Sequence, residues 1–342
     1  MPGIQKVQGL RDAALSWEEY DRVEEIPDEW DRLAGNNIFL RKKFLGHLEQ
    51  VNRCRQRYRL LFHQGSLKGI YVLYRLKLDV FTFSSLCLKF PVWTVGIPCS
   101  LSKQGFAAHP GFEEQLWLDI RRIRGAKLIL NGETSLPGTR GETLPTCVLD
   151  LDWTSFEAYL DAMRSHYRYR FKKARSKWAE VKIDCVNPEN FDQEMYRQYE
   201  GVYHRSPYKL EKLGLDFFRG LPLPAKVLRA SHGGQVLGFV LLIENGDQLV
   251  FLFTGFDYKL SPKFDTYLNL LLQIVHYGIH QGFKSIDFGQ TAEETKMRLG
   301  CLMKQRKLYL AHSNRFLDTL ANRCIGFLGY QPPRHHFKVF KS

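Results

Sequence analysis

No Cys-x-x-Cys pair occurs anywhere in the chain. Its seven cysteines, Cys54, Cys87, Cys99, Cys147, Cys185, Cys301 and Cys324, are odd in number and scattered, so neither a zinc ribbon nor a complete disulfide framework is indicated. A reducing cytoplasm is the expected setting. Long apolar runs are missing as well. The richest, Leu268 to Ile279, is interrupted by Asn269, Gln273 and His276, and the amino terminus has no basic-then-apolar signal pattern, so no membrane span is expected. His276 and His280 are spaced as metal ligands can be, but no third ligand is evident, and they read as a solvated helix face with no metal.

What the chain has is length, apolar content and positive charge. Its 342 residues favour two domains, and 44% hydrophobic with 13% aromatic residues excludes intrinsic disorder for most of the length. The formal net charge is +13, yet Asp12 to Asp31 hold nine acids against one cation, which leaves +21 on the remainder. Such asymmetry points to an anionic partner for the body of the protein, whether nucleic acid, phosphorylated cofactor or acidic carrier.

Pro27 opens a helical segment whose apolar positions Trp30, Leu33, Phe39, Phe44 and Leu48 share approximately one face, broken at Gly35-Asn36-Asn37. Strands are predicted over 58–63, 69–75 and 80–90, a helix over 112–123, a strand over 127–130, and a loop over 132–144. A second half then begins. Thr154-Ser155-Phe156-Glu157 reads as a capping box with Thr154 as the cap, and Phe156, Leu160, Met163, Tyr167, Phe171, Ala174 and Trp178 predict one long helix over 155–178. A strand over 181–186, a helix from Asn187 and Pro188 to about Arg205, strands over 225–230, 236–244 and 249–257, a helix over 268–279, a strand over 283–288, a short helix over 293–299, a strand over 307–311 and a helix over 314–327 complete the order. Both halves contain strands, then helix, then strand, consistent with a duplicated α/β unit.

Several residues carry possible chemistry. Arg164, Arg168, Lys172 and Arg175 fall on one helical face, within a stretch (164–177) that has seven cations and no acid; self-repulsion there calls for an anion or a solvated face. His335-His336 looks like tail. Asp287-Phe288-Gly289 lacks the companion motifs of a kinase, and Gly289 reads as a strand-end turn.

The series Met163 to Ala174, then Val202-Tyr203-His204-Arg205-Ser206, then Gly278 to Gly289, then Lys296-Met297-Arg298-Leu299-Gly300 resembles the Fem-like branch of the GNAT acyltransferase superfamily, over about residues 28 to 312 and most strongly from 147 on. That resemblance implies an α/β fold of tandem GNAT-like domains with mixed central sheets: an acidic segment 1–27, a first domain 28–146, and a second domain 147–342 containing the basic helix 155–178. It also implies transfer of an activated acyl or aminoacyl group to an amine of a cell-wall precursor or biosynthetic small molecule. The acyl donor is a co-substrate, with no tightly bound cofactor. Aminoacyl-tRNA is favoured as the donor, and acyl-carrier protein or acyl-CoA is the alternative.

Lys296 corresponds to the family lysine of the K-x-x-x-G element and would stabilise developing negative charge; Asp257 and Tyr258 are the accompanying candidates for catalysis, with His204 and Tyr309 as further possible bases. Lys259, Lys263, Gly289 and Arg298 would bind the donor, and Arg164, Arg168, Lys172 and Arg175 its anionic carrier. One departure matters. Where acetyl-CoA-binding members carry a Gly-rich pyrophosphate loop, this chain reads Lys259-Leu260-Ser261-Pro262-Lys263-Phe264-Asp265-Thr266-Tyr267, which weakens the case for coenzyme A. The competing reading is a non-catalytic nucleic-acid-binding protein on a degenerate GNAT scaffold.

Overall fold

A computed structural model describes residues 7–8, 14–79, 89–99, 101–330 and 337–341. The chain forms two compact units, residues 1–144 with 305–332, and residues 145–304 with 333–342.

The first unit opens with β1 (Val7–Gln8) and β2 (Leu15–Tyr20), followed by α1 (Glu29–Ala34) and α2 (Lys42–Val51). The break expected at Gly35 is real: Gly35 adopts φ 58, and a single 3-10 turn, Ile38–Leu40, separates the helices. Next come β3 (Arg57–His63), β4 (Ser66–Asp79), β5 (Lys89–Val95), β6 (Phe106–Ala108), α3 (Glu113–Arg122) and β7 (Ala126–Gly132). Gln64 and Gly65 both take positive φ, the conformation a tight hairpin between β3 and β4 needs.

One expectation changes here. The acidic stretch is not a separate segment: β2 pairs antiparallel with β3, where Glu19 bridges Arg57 at 3.1 Å and Arg59 at 2.9 Å. Cations on the neighbouring strand offset part of its charge. The strand expected over 80–90 falls outside the described residues except for its last two, which open β5, and His335-His336 also lies outside them.

The expected loop over 132–144 is half strand. β8 (Arg140–Asp150) starts inside it, and its residues from 145 on belong to the second unit. There follow α4 (Phe156–Ala162), α5 (Ser165–Ser176), β9 (Lys182–Val186), α6 (Gln193–Arg205), α7 (Leu215–Arg219), β10 (Ala225–His232), β11 (Gln235–Asn245), β12 (Gln248–Phe256), α8 (Ser261–Phe264), α9 (Thr266–His280), β13 (Ser285–Asp287) and α10 (Glu293–Arg298).

The long basic helix is two helices. Met163 and Arg164 are extended, Arg164 N donates to Val339 O at 2.9 Å, and Met163 bridges Phe340, so pairing with the carboxy-terminal segment interrupts the helix. Ser155, rather than Thr154, caps α4 by accepting from Ala158 N. Likewise Asp192, rather than Asn187, caps α6 by accepting from Met195 N, and Pro188 opens only a 3-10 turn.

In the second unit the strand order is β8-β13-β12-β11-β10-β9, antiparallel except for the parallel pair β12–β13. Its core joins Phe156, Tyr159, Leu160 and Phe171 to Leu242, Leu249, Leu271, Val275 and Ile286. β14 (Leu302–His312) and α11 (Arg315–Leu328) return the chain to the first unit, a crossing that the expected division into consecutive segments does not contain. It occurs because residues 307–312 of β14 pair with β7, which extends the order β1-β2-β3-β4-β5-β7-β14 and puts Tyr309 in a core with Leu61, Tyr71, Leu116 and Ile129.

Candidate active site

β13 matches β12 for only three residues, Gln248↔Ser285 to Val250↔Asp287, after which β12 continues to Phe256 alone on that side. The register of β12 against β11 also shifts between Leu241 and Leu242, which leaves Leu252 unpaired as a bulge that bends the strand. The two parallel strands therefore part at their carboxy-terminal ends, where the expected catalytic residues follow each of them.

After β13 the backbone is unusual. Gly289, Thr291 and Ala292 adopt φ 67, 64 and 50, and left-handed φ at a β-branched threonine is costly enough to mark a constrained site. Lys296 holds this turn together. It is 2% exposed, and Nζ donates to Gln290 O at 2.7 Å and to Gly289 O at 3.4 Å. Asp287 adds to the fastening, its Oδ1 accepting from Gly289 N at 2.9 Å and Thr146 Oγ1 at 2.5 Å. Burial pushes the Lys296 ammonium below its ordinary range, while burial raises Cys147 to about 11 and holds Cys301 well above the usual thiol range, so both thiols stay protonated at neutral pH. Lys296 is thus neither a surface lysine nor one that can be removed without cost to the turn.

The other expected residues divide. Gly289 and Arg298 share the turn and helix of Lys296, with the Arg298 guanidinium paired to Glu294 and 5.4 Å from the Phe337 ring centre. Asp257 braces the chain that follows β12, its Oδ1 accepting from Lys259 N at 2.7 Å and Leu260 N at 3.2 Å. Tyr258 lies under the Arg205 guanidinium, 4.1 Å from the ring centre. Lys259 and Lys263 are exposed. His204 is exposed on α6, and Tyr309 is buried in the first unit, its hydroxyl accepting from Leu136 N.

Two residues went unrecognised in the sequence. Glu293, in the first turn of α10, has a buried carboxylate oxygen, Oε1, with no hydrogen-bond partner among the described residues. Tyr267 interacts electrostatically with Tyr258 and Cys147 and also with Glu293, and burial raises its phenol. Glu293 carried no sequence signal beyond standing three residues before Lys296.

The anion-binding face is also rearranged. Lys172 stands 4.0 Å from Asp161 and Arg175 4.0 Å from Glu157, both acids of α4, while Arg168 donates to Asp161 O and Arg164 to Phe340 O. Those two acids and two cations, with Leu160, line a cavity of 230 Å³. The break at Met163 folds α4 back on α5 and supplies the missing carboxylates. On α5, the exposed cations without a carboxylate within 4.0 Å among the described residues are Arg170 and Lys173, beside Tyr169 at 68% exposure.

Residues 161–297 match the model of an acetyltransferase (GNAT) domain. In structure, the chain is similar to FemX, at 10% identity and TM-score 0.56, covering 89% of this chain and 100% of that one. Residues 161–297 thus carry a GNAT-type acyltransferase domain, and the chain has a fold like that of FemX. A tandem GNAT protein from the clavulanic acid biosynthesis pathway is similar at 12% identity and TM-score 0.51, covering 88% and 99% of the two chains. A protein of unknown function from Bacteroides thetaiotaomicron is similar at 8% identity and TM-score 0.50, covering 85% and 98%. In sequence, no curated protein matches this acyltransferase. Among the described residues no helix is long and apolar enough to cross a membrane, and no three His, Cys, Asp or Glu side chains stand together as metal ligands.

Proposed function

We propose that this acyltransferase moves an aminoacyl group from aminoacyl-tRNA to a primary amine on a cell-wall precursor or biosynthetic small molecule. The observation that carries this choice of donor is Asp257. In a coenzyme A site, free backbone amides at this helix entry would cradle pyrophosphate. Here the amides of Lys259 and Leu260 are taken by the Asp257 carboxylate, which also places a negative charge where a diphosphate would lie. A donor whose phosphates lie elsewhere, spread along a polynucleotide, avoids that conflict. The exposed Arg170 and Lys173 suit such a carrier.

In the chemistry, the amine nitrogen bonds to the ester carbonyl carbon, a tetrahedral oxyanion forms, and the bond to the ribose oxygen breaks. Glu293, with its unpartnered oxygen, accepts the amine proton and returns one to the departing ribose oxygen. The Lys296 ammonium stabilises the oxyanion electrostatically from its fixed position. The test is parallel transfer reactions with labelled aminoacyl-tRNA and labelled acyl-CoA pools and a panel of amines. Amide product from the tRNA pool alone supports the reading, and product from the acyl-CoA pool alone overturns it.

A further inference from the structure

Six large hydrophobic side chains are exposed among the described residues, and four of them lie on two helices of the first unit: Leu118 on α3 at 45%, and Phe316, Leu317 and Leu320 on α11 at 75%, 43% and 49%. Phe316 and Leu320 are one turn apart, and Arg323 continues their face. Exposed arginines surround them: Arg121, Arg122 and Arg124 at the end of α3, and Arg315 and Arg323 on α11. The arrangement is built rather than incidental. Arg121 pairs with Asp318 at 3.0 Å, Gly125 N donates to Ser313 Oγ at 2.9 Å, and Ser313 N returns a bond to Gly125 O, so the end of α3 is fastened to the start of α11. Of the acids on these helices, Asp119 and Asp318 are buried and already paired with Arg59 and Arg121. Glu113 and Glu114 at the far end of α3 remain, so arginine dominates the rim.

We propose that this α3–α11 face docks on the surface of an anionic lipid bilayer. Phenylalanine and leucine side chains projecting between arginines are the pattern of an interfacial helix, whose apolar residues enter the acyl boundary while its cations meet lipid phosphates. Nucleic acid would use the cations but has no place for three exposed leucines and a phenylalanine. An acidic protein partner would need no bilayer at all.

The experiment is co-sedimentation of the full chain with vesicles of phosphatidylcholine alone and of phosphatidylcholine mixed with phosphatidylglycerol. Binding to the mixed vesicles, weakened by salt and absent from the neutral ones, is expected. Arg315→Glu/Arg323→Glu should weaken it on the order of tenfold or more, since each cation near such a surface is worth about fivefold. Phe316→Ser/Leu320→Ser should weaken it comparably with an unchanged melting temperature, because both residues are exposed. Tyr169→Ser, exposed on the second unit, serves as the control and should bind as the wild type does. Failure to bind mixed vesicles overturns the proposal. So does loss of binding in the arginine variant alone, which would make the face a polyanion or acidic-protein dock.

Discussion

Replacing Lys296 with methionine keeps most of the buried stem and removes only the ammonium. The Gln290 carbonyl loses its donor at 2.7 Å, whereas the Gly289 carbonyl loses a 3.4 Å contact and keeps its bond from Cys147 N at 3.0 Å. An unsatisfied buried polar group costs about 1–3 kcal/mol, and the longer contact adds little because its carbonyl stays bonded, so about 1–3 kcal/mol is expected in total. Neutralising a buried ammonium returns part of its desolvation cost, which favours the lower half of that range. In a unit of this size about 2 kcal/mol lowers the melting temperature by roughly 4–8 °C. If the ammonium also meets the oxyanion, turnover should fall on the order of 10² to 10³, far beyond the unfolded fraction. Thermal unfolding and single-turnover transfer, measured on the same preparations below the transition, separate the two effects. A Lys296→Met protein that melts with the wild type would refute the fastening of the 289–292 turn. One that melts lower but transfers at the full rate would refute the electrostatic role.

Lys127 gives a pH prediction. It is buried, donates to Arg121 O and Ile123 O at the end of α3, and burial pushes it down to about 8. Below pH 8 folded and unfolded states are both protonated and the penalty is complete; between pH 8 and 10.5 the unfolded state binds more protons, so stability rises with pH. Relative to Lys127→Met, the wild type should gain up to about 3 kcal/mol across that window in denaturant titrations, and a flat difference would contradict it. Asp119 accepts from Tyr71 and pairs with Arg59 at 3.0 Å in the first unit, and Glu19 still holds Arg59 at 2.9 Å, so Asp119→Ala should cost about 1–3 kcal/mol, chiefly by leaving the buried Tyr71 hydroxyl without its acceptor; chemical denaturation measures it. On α5, Arg170→Glu/Lys173→Glu should flatten the salt dependence of tRNA binding more than Arg168→Glu/Lys172→Glu, because Asp161 already holds Lys172; filter binding across a salt series reads both.

Local chemistry in the sequence was enough to place most strands and several turns. The strands expected over 225–230, 236–244 and 249–257 match β10 to β12, and the helix expected over 314–327 matches α11, which Asn314 caps by accepting from Phe316 N and Leu317 N. Long-range pairing was not legible. Nothing in the apolar stripe from Phe156 to Trp178 shows that Val339 and Phe340 claim the backbone at Met163 and Arg164, so one helix was expected where two exist. The same fault hid the acids facing Lys172 and Arg175, which come from α4 across that break. The return of β14 to the first unit, too, is set by β7 and not by its own residues. In the candidate site the K-x-x-x-G element pointed to Lys296, and the segment from Gly278 on pointed to Gly289 at its end, but burial, the left-handed turn and the unpaired Glu293 oxygen appear only when the backbone around them is folded.

The measurement that bears most directly on the proposed reaction is a structure of the protein with a short acceptor-stem RNA carrying its amino acid through a non-hydrolysable amide. The aminoacyl carbonyl is expected where β12 and β13 part, with its oxygen turned toward Lys296 Nζ and the Glu293 carboxylate on the side open to an incoming amine. An aminoacyl group bound away from those strand ends, or a stem whose 3′ end never reaches them, would contradict the proposed reaction.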